Sequence, residues 1–268
     1  MSRRGFWMAG LVAGLAALFP DLAMAEPPQR IVSANQCSDV LLPALVEPAR
    51  IAGLSRLAGD NLPAVPRISG SLDSILALQP DLVLIGPEGR GRKEELLRGF
   101  GLEVMVFDLP DGLDALRELL RRMGARLDAV EQAEALADGL PLAGPVDADA
   151  PQALWLAPNL YAFGAGTMAG DLLAASGWRN GLGTDARGWV SLTLEGLLAR
   201  PVALLITGGA EGASRAEGLL AHPALDKVGH SRLVLPSEGL GCDPAAVMRV
   251  AELLRTARRG IAATGGAG

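Results

Sequence analysis

Two segments of this 268-residue sequence present the same features in the same order. The first runs from Gly70 to Gly86 and the second from Ser191 to Gly208. Each has a polar start, apolar side chains at helical spacing, a proline, an uninterrupted apolar run and a glycine. Because proline cannot continue a helix and a continuous apolar run is typical of a strand covered on both faces, each segment predicts a short helix followed by a buried strand. The repetition predicts two similar half-molecules.

The two segments align on Pro80 and Pro201, and this alignment pairs Asp73 with Glu195. One residue fewer separates the acid from the proline in the second segment. Ser71 is placed to cap the first helix, and a carboxylate in the first turn suits the helix dipole. The sequence therefore predicts one acidic residue at the start of each repeated helix.

Strand and helix patterns alternate along the rest of the chain. This alternation predicts an α/β fold with mostly parallel sheets flanked by helices. The predicted strands are 30–33, 51–54, 82–85, 104–107, 153–156, 202–206 and 233–235, and the other predicted helices begin near 35, 94, 171 and 244.

The longest helical pattern runs from Leu113 to Leu140. One face is apolar and the other is charged, and at about 1.5 Å per residue such a helix would reach some 40 Å. We expect one long connecting helix, with Gly124 marking a bend. The alternative is two ordinary helices broken at Gly124.

The first 25 residues have the pattern of an export signal, with Arg3 and Arg4 before an apolar stretch and Ala23–Ala25 as the cleavage site. Arg3 and Arg4 fit either an ordinary or a twin-arginine signal. The expected organisation is a signal peptide (1–25), a first lobe (26–112), a connecting helix (113–140), a second lobe (141–259) and a disordered tail (260–268). A soluble, exported protein is expected from this signal.

The segments 30–33 (Arg-Ile-Val-Ser), 71–86, 170–180 (Gly-Asp-Leu-Leu … Gly-Trp-Arg-Asn) and 222–225 (His-Pro-Ala-Leu) together resemble one family. It comprises the periplasmic substrate-binding proteins of ABC importers for iron-siderophores, haem and vitamin B12. The resemblance extends from about Arg30 to about Arg258 and implies two α/β lobes joined by one long helix. It also implies a monomer that delivers a bulky metal chelate to a membrane permease, with no cofactor of its own. Ferric siderophore is the first expectation, and cobalamin or haem the alternative.

In this family an acidic residue at the matching place of each lobe docks onto arginines of the permease. The resemblance therefore assigns permease docking to Asp73 and Glu195. The simpler interpretation is that both carboxylates only serve the helix dipole, and the two roles are compatible.

Other functions find less support in the sequence. A net charge of −6 without a basic stripe argues against nucleic-acid binding. His222 and His230 are the only histidines, which disfavours a metal site held by protein side chains. No catalytic motif surrounds them, which disfavours an enzyme. His222 is expected to cap or pack. An exported enzyme or sensor domain on the same lobes remains the alternative of another class.

In open parallel sheets, ligands bind beyond the carboxyl ends of the strands. With two lobes, these ends would face each other across a cleft, and four loops qualify. Their candidate ligand-binding residues are Asn35, Gln36, Cys37, Glu88, Arg90, Arg92, Tyr161, Phe163, Cys242 and Asp243. Trp189 joins them because relatives often place a ligand-facing aromatic there, whereas Trp178 is expected in the core.

The candidates fall into two chemical types. Arg90 and Arg92 suit anionic oxygens of a chelate, although solvated loop arginines are an equal alternative. Tyr161, Phe163 and Trp189 would supply apolar walls. Glycines from Gly164 to Gly170 are expected to let a ligand approach closely.

Cys37 and Cys242 are the only cysteines, one in each predicted lobe. Export permits a disulfide, which would tie the lobes together and needs α-carbons within about 7 Å. Two unpaired cleft thiols and direct coordination of the ligand are the other two interpretations. The sequence leaves all three open.

Overall fold

The computed structural model describes residues 26–208, 215–235 and 241–265. The predicted signal peptide and residues 266–268 of the predicted tail lie outside these ranges. Within them, no helix is both long and apolar enough to cross a membrane.

The first lobe is built on a five-stranded sheet in the order β3-β2-β1-β4-β5, and every pairing in it is parallel. Its strands are β1 (Ile31–Ser33), β2 (Ile51–Ser55), β3 (Arg67–Ile68), β4 (Leu82–Ile85) and β5 (Glu103–Val106). Its helices are α1 (Gln36–Leu45), α2 (Leu72–Leu76) and α3 (Arg92–Gly99).

The second lobe has a separate, mixed sheet in the order β11-β10-β6-β7-β9, with β8 pairing to β6. Its strands are β6 (Gln152–Ala157), β7 (Tyr161–Phe163), β8 (Arg179–Asn180), β9 (Trp189–Ser191), β10 (Val202–Gly208) and β11 (Gly229–Leu235). β6, β8, β10 and β11 pair in parallel, whereas β7 and β9 are antiparallel additions at one edge.

Five helices follow the first lobe in chain order: α4 (Leu113–Leu127), α5 (Val130–Gly139), α6 (Met168–Ala175), α7 (Leu194–Leu198) and α8 (Arg215–Gly218). A final helix, α9 (Pro244–Gly265), ends the described chain. The tail predicted from 260 is therefore helical as far as Gly265, because α9 continues past the expected end.

The repeated segments fold as predicted. Ser71 Oγ accepts a hydrogen bond from the Ser74 amide at the start of α2, and Thr193 Oγ1 accepts one from Gly196 at the start of α7. β4 and β10, the strands that follow, each lie between two parallel neighbours in their own sheet. Two lobes with parallel-rich sheets flanked by helices are confirmed.

A single connecting helix over 113–140 is wrong. α4 passes through Gly124 and ends where Asp128 adopts a left-handed conformation with φ of 52°. α5 then folds back along α4, and Arg121 pairs with Glu134 across the two helices. A Cβ at Gly124 would collide with the Ala133 side chain, so this glycine permits close packing of a helical hairpin rather than a bend.

Buried residues of both lobes form one continuous core, here named the shared core. The first lobe contributes residues such as Ile31 and Leu84, and the second contributes Leu172 and Val247. The α4–α5 hairpin, α6 and α9 supply most of the helical side chains. The opposite face of each sheet packs against its own smaller core, so the two sheets flank a common helical layer.

Candidate functional site

The carboxyl ends of the two sheets meet at a disulfide bond. Cys37 lies in the first turn of α1, directly after β1, and Cys242 lies between β11 and α9. Their sulfurs are bonded and their α-carbons are 5.3 Å apart. The expectation that these strand ends face one another is confirmed. The free-thiol and ligand-coordination interpretations of Cys37 and Cys242 are wrong, because neither sulfur is a thiol.

The bond lies at the margin of the shared core. Cys37 is only 5% exposed and belongs to that core, and Cys242 is half-buried against it. Asn35 caps α1 by accepting a 2.7 Å hydrogen bond from the Cys37 amide. The local fold around Cys37 therefore depends on the same asparagine that was predicted to contact ligand.

Two first-lobe candidates are bonded to each other. Asn35 Nδ2 donates to Glu88 Oε1 at 2.8 Å, which links the loop after β1 to the loop after β4. Gly86, the last residue of the first repeat, lies beside this pair, and a Cβ there would collide with both side chains. The glycine of the repeat thus allows two cleft-edge loops to come together.

The predicted arginines have different surroundings. Arg90 forms a 2.8 Å ion pair with Asp108, which follows β5, and both side chains are more than half exposed. Arg92 is exposed, and no ion pair within the described chain involves it. Gln36, at the start of α1, is exposed as well. No sequence pattern marked Asp108 as a partner of Arg90. The two residues meet because β4 and β5, the strands that precede them, are parallel neighbours in the sheet.

Three predicted aromatic residues lie together in the second lobe. We call Tyr161, Phe163 and Trp189 the aromatic strip. The ring centroids of Phe163 and Trp189 are 4.6 Å apart, and those of Tyr161 and Trp189 are 6.4 Å apart. The antiparallel pairing of β7 with β9 produces this arrangement, because it sets Phe163 directly opposite Trp189.

The aromatic strip faces the same side as the shared core. Trp155 belongs to the shared core, whereas its neighbours Leu154 and Leu156 belong to the outer core of this lobe. Phe163 contacts Trp155 edge to face at a centroid distance of 6.1 Å. Exposure then rises from 4% at Trp155 to 64% at Trp189. The strip therefore carries the apolar surface of the interlobe layer outwards into solvent.

Two of the glycines predicted to let a ligand approach closely are instead packed against protein backbone. A Cβ at Gly164 would collide with the Ala186 carbonyl, and one at Gly170 would collide with the Gly164 carbonyl. These two glycines pack protein backbone against protein backbone. Gly166, with a φ of 72°, has open space around it.

The last candidate loop is only partly described, since residues 236–240 lie outside the described ranges. Asp243 Oδ1 accepts a 2.9 Å hydrogen bond from the Ala245 amide at the start of α9. Its other oxygen lies 3.8 Å from Arg249. In the described contacts Asp243 serves the start of α9.

The two acids predicted to dock the permease occupy equivalent positions. Asp73 is the second residue of α2 and Glu195 the second residue of α7, each two positions after the capping hydroxyl. Both carboxylates are exposed. The structure thus places Asp73 and Glu195 at the equivalent positions to which the alignment of the two repeats assigned them.

A contact between α4 and α6 that the sequence analysis missed lies at the start of α4. Asp171, in the first turn of α6, accepts a 2.9 Å hydrogen bond from the Leu113 amide. Burial raises the pKa of Asp171, and the nearby charges of Asp114 and Asp111 raise it further, against the lowering effect of the Leu113 hydrogen bond. Gly112 favours this close approach, because a Cβ there would collide with the carboxylate as it now lies.

Two further predictions on single residues are confirmed. His222 Nδ1 accepts a 3.1 Å hydrogen bond from the Ala224 amide and so caps a 3₁₀ turn. Trp178 is 1% exposed, and its Nε1 donates to the Leu254 carbonyl. Among the described residues, no group of three or more His, Cys, Asp or Glu side chains is placed to hold a metal ion.

The sequence matches the periplasmic binding protein family over residues 31–229. The chain belongs to this family. Among curated proteins compared by sequence, none matches the chain.

Solved structures of such proteins share the fold. The haem-binding protein RhuT of Roseiflexus sp. RS-1 is 21% identical, with a TM-score of 0.65 over 86% of this chain and 99% of that chain. The Fe3+-hydroxamate transport protein of Saccharomonospora viridis DSM 43017 is 23% identical, with a TM-score of 0.60 over 86% and 93%. The vitamin B12-binding protein BtuF of Vibrio cholerae is 14% identical, with a TM-score of 0.60 over 88% and 98%. At these identities the likeness establishes the fold.

Proposed function

We propose that this protein captures a bulky metal chelate between its lobes and delivers it to an ABC import permease, without catalysis. The observation that carries the proposal is the aromatic strip, an apolar surface that leaves the shared core and opens to solvent on the interlobe side. Large aromatic side chains suit the apolar faces of such ligands. The names of the solved relatives, which include haem, Fe3+-hydroxamate and vitamin B12 proteins, support this ligand class.

A ferric siderophore is the ligand we propose first. Arg92 presents an exposed guanidinium at the first residue of α3, and such groups bind the anionic oxygens of ferric chelates well. Haem is the second candidate, because the aromatic strip offers an apolar surface to a large ring system and several solved relatives are named as haem-binding proteins. Cobalamin, named for one relative, is the third.

A fluorescence titration tests the proposal directly. The region after the predicted cleavage site contains Trp155, Trp178 and Trp189, and metal chelates that absorb in the near ultraviolet quench tryptophan emission. Ferrichrome, ferric enterobactin, haemin and cyanocobalamin are titrated into the purified protein. Saturable one-to-one quenching by one of them, reduced in Trp189→Ala and retained in Trp189→Phe, supports the proposal. Chemical conversion of the bound chelate would contradict it.

Permease docking through Asp73 and Glu195 is the second part of the proposal. Uptake of the bound chelate is measured in source cells whose gene carries Asp73→Asn and Glu195→Gln together. We expect uptake to fall while affinity for the purified protein stays unchanged. The matched control is Glu47→Gln with Asp149→Asn, which alters two exposed acids that precede the amino ends of β2 and β6. Normal uptake by the first pair of substitutions would exclude the docking role.

Export to the periplasm as a monomer completes the proposal. The predicted signal sequence ends at Ala25, so the mature chain is expected to begin at Glu26. Amino-terminal sequencing and mass measurement of the protein released from the periplasm test the cleavage site, and sedimentation tests the monomer.

A further inference from the structure

The turn between β6 and β7 has a strained backbone. Asn159 and Leu160 are consecutive residues with positive φ, 60° and 58°, as at the two central positions of a type I′ turn. Such turns strongly prefer Asn-Gly, because glycine adopts a positive φ without steric cost. Asn159 fits this preference, but Leu160 occupies the position where glycine is expected. Among the described residues, Leu160 is the one apolar side chain at a positive φ.

The surroundings of Leu160 hold it in this conformation. Its side chain is 8% exposed and belongs to the outer core of the second lobe, together with Leu156 and Leu225. The turn also packs against the 3₁₀ turn of Leu219–Ala221. Burial of a leucine side chain is favourable enough to offset the steric cost of a positive φ. The buried side chain therefore keeps the turn in a conformation that its own backbone disfavours.

The turn determines which side chains of β7 belong to the aromatic strip. Across the hairpin, Ala157 pairs with Tyr161. In this register Ala162 is buried in the outer core, whereas Tyr161 and Phe163 lie on the side of the shared core. A slip of one residue would exchange these faces, because side chains alternate along a strand. Both rings would then leave the side of the shared core, and an alanine would replace them there.

The same turn is bonded to the neighbouring strand β9. The carbonyl oxygen of Leu160 accepts a 3.1 Å hydrogen bond from the amide of Leu192, the residue that directly follows β9. β9 contributes Trp189, which lies opposite Phe163. Both strands that carry the aromatic strip are therefore attached to Leu160, since β7 begins at the next residue of the chain.

We propose that Leu160 is a positioning residue for the aromatic strip: its buried side chain holds the left-handed turn, and the turn sets the register of β7 and β9. Leu160 itself lies in the outer core, on the other face of the sheet, and does not line the strip. Rings that are already in place lose less motion when a ligand binds, which strengthens affinity. The effect on affinity rests on the proposed function, in which the strip contacts ligand.

The test uses Tyr161, the only tyrosine of the chain, as a probe. Protein that carries 3-fluorotyrosine gives a fluorine NMR signal from this position alone, and the ring of Trp189, at a centroid distance of 6.4 Å, influences that signal. Leu160→Ala removes the buried side chain but keeps the steric cost of a positive φ. We expect it to shift or split the signal and to weaken chelate binding about fivefold. Leu160→Gly removes the same side chain without that cost, so its signal and affinity should stay close to those of wild type.

Leu225→Ala is the matched control, because Leu225 is buried in the same outer core but lies outside the turn. We expect it to lower stability without moving the fluorine signal. If Leu160→Ala does not fold, Leu160→Val takes its place, since a β-branched residue keeps most of the buried surface but strongly disfavours a positive φ.

Two outcomes would overturn the proposal. An unchanged fluorine signal in folded Leu160→Ala or Leu160→Val would show that strand pairing alone sets the register. An equal displacement by Leu160→Gly or Leu225→Ala would assign the effect to lost packing and not to the turn. Both comparisons are made without ligand, so they decide the positioning role even if no chelate binds. A displaced signal with unchanged affinity would support that role and contradict only the strip as a ligand contact.

Discussion

The two lobes share one local unit but build different cleft walls from it. In each, a hydroxyl-capped helix with an exposed acid precedes a buried central strand: α2 and β4 in the first lobe, α7 and β10 in the second. The first sheet then stays fully parallel, and its candidate site residues are mostly polar, with Asn35 bonded to Glu88 and Arg90 paired with Asp108. The second sheet adds antiparallel β7 and β9, and these carry the aromatic strip.

The edges of the sheets show why the walls differ. At the edge strand β5, Arg98 donates to the Val104 carbonyl and Arg126 pairs with Glu103, so charged side chains occupy the open side of the strand. In the second lobe, the corresponding side of β6 is covered by strand pairing instead. The repeated helix–strand unit therefore gives both lobes the same framework. The strands added at the edge of the second sheet determine which side chains that lobe would present to a ligand.

The largest expected effect tests whether the lobes act as one unit. Cys37→Ser with Cys242→Ser removes a cross-link that closes a 205-residue separation, and the chain-entropy argument predicts a loss of about 5 kcal/mol of unfolding free energy. Denaturation of the bonded wild type, the reduced wild type and the variant in urea measures it. A loss of stability in the variant that reduction does not reproduce would indicate a local packing effect of serine.

Two tryptophans of the second lobe distinguish its core from the aromatic strip that we propose binds ligand. Trp178→Ala empties a buried site and leaves the Leu254 carbonyl without its donor, so we expect a loss of about 3–5 kcal/mol in stability. Trp189→Ala removes a ring that is mostly exposed, and we expect a change within about 0.5 kcal/mol. Similar losses in urea denaturation would mean that the aromatic strip is structural.

We expect the affinity for the chelate to depend more on the second lobe than on the first. We expect Trp189→Ala to weaken chelate binding about tenfold, since the ring is a large desolvating contact. Arg90→Gln breaks an exposed ion pair with Asp108, and such pairs contribute about 0–1 kcal/mol, so its effect should be at most a few-fold. Isothermal titration with the chelate identified by fluorescence measures both. A larger effect at Arg90 would make the first lobe the principal ligand wall.

The smallest expected effect is the contribution of Asp171 to the pH dependence of the unfolding free energy. Because its pKa is raised in the folded state, the folded chain binds a proton more readily than the unfolded chain there. This contribution stabilises the fold below the unfolded pKa and is lost as pH rises through the folded pKa. Asp171→Asn keeps an acceptor for the Leu113 amide but removes the charge, so it should gain stability relative to wild type as pH rises from about 3 to 7. Parallel stability curves against pH would contradict this.

Several parts of the fold could be predicted because they depend on neighbours in sequence. The capping hydroxyls, the proline stops and the uninterrupted apolar runs produced the predicted helix–strand units at β4 and β10. The burial of Trp178 and the cap at His222 followed from local context as well. Strands β3, β7, β8 and β9, which have two or three residues each, were not predicted.

The sequence by itself determined the duplicated unit, the family and the chemical types available at the carboxyl ends of the strands, since these depend on local propensity and residue order. Tertiary structure decided three other matters. The pairing of Cys37 with Cys242 depends on the distance between residues far apart in the chain, and the aromatic strip depends on the register of β7 and β9. The turn at Asp128 depends on α5 packing back onto α4 at Gly124. In each case the deciding free energy comes from contacts between segments that no local pattern encodes.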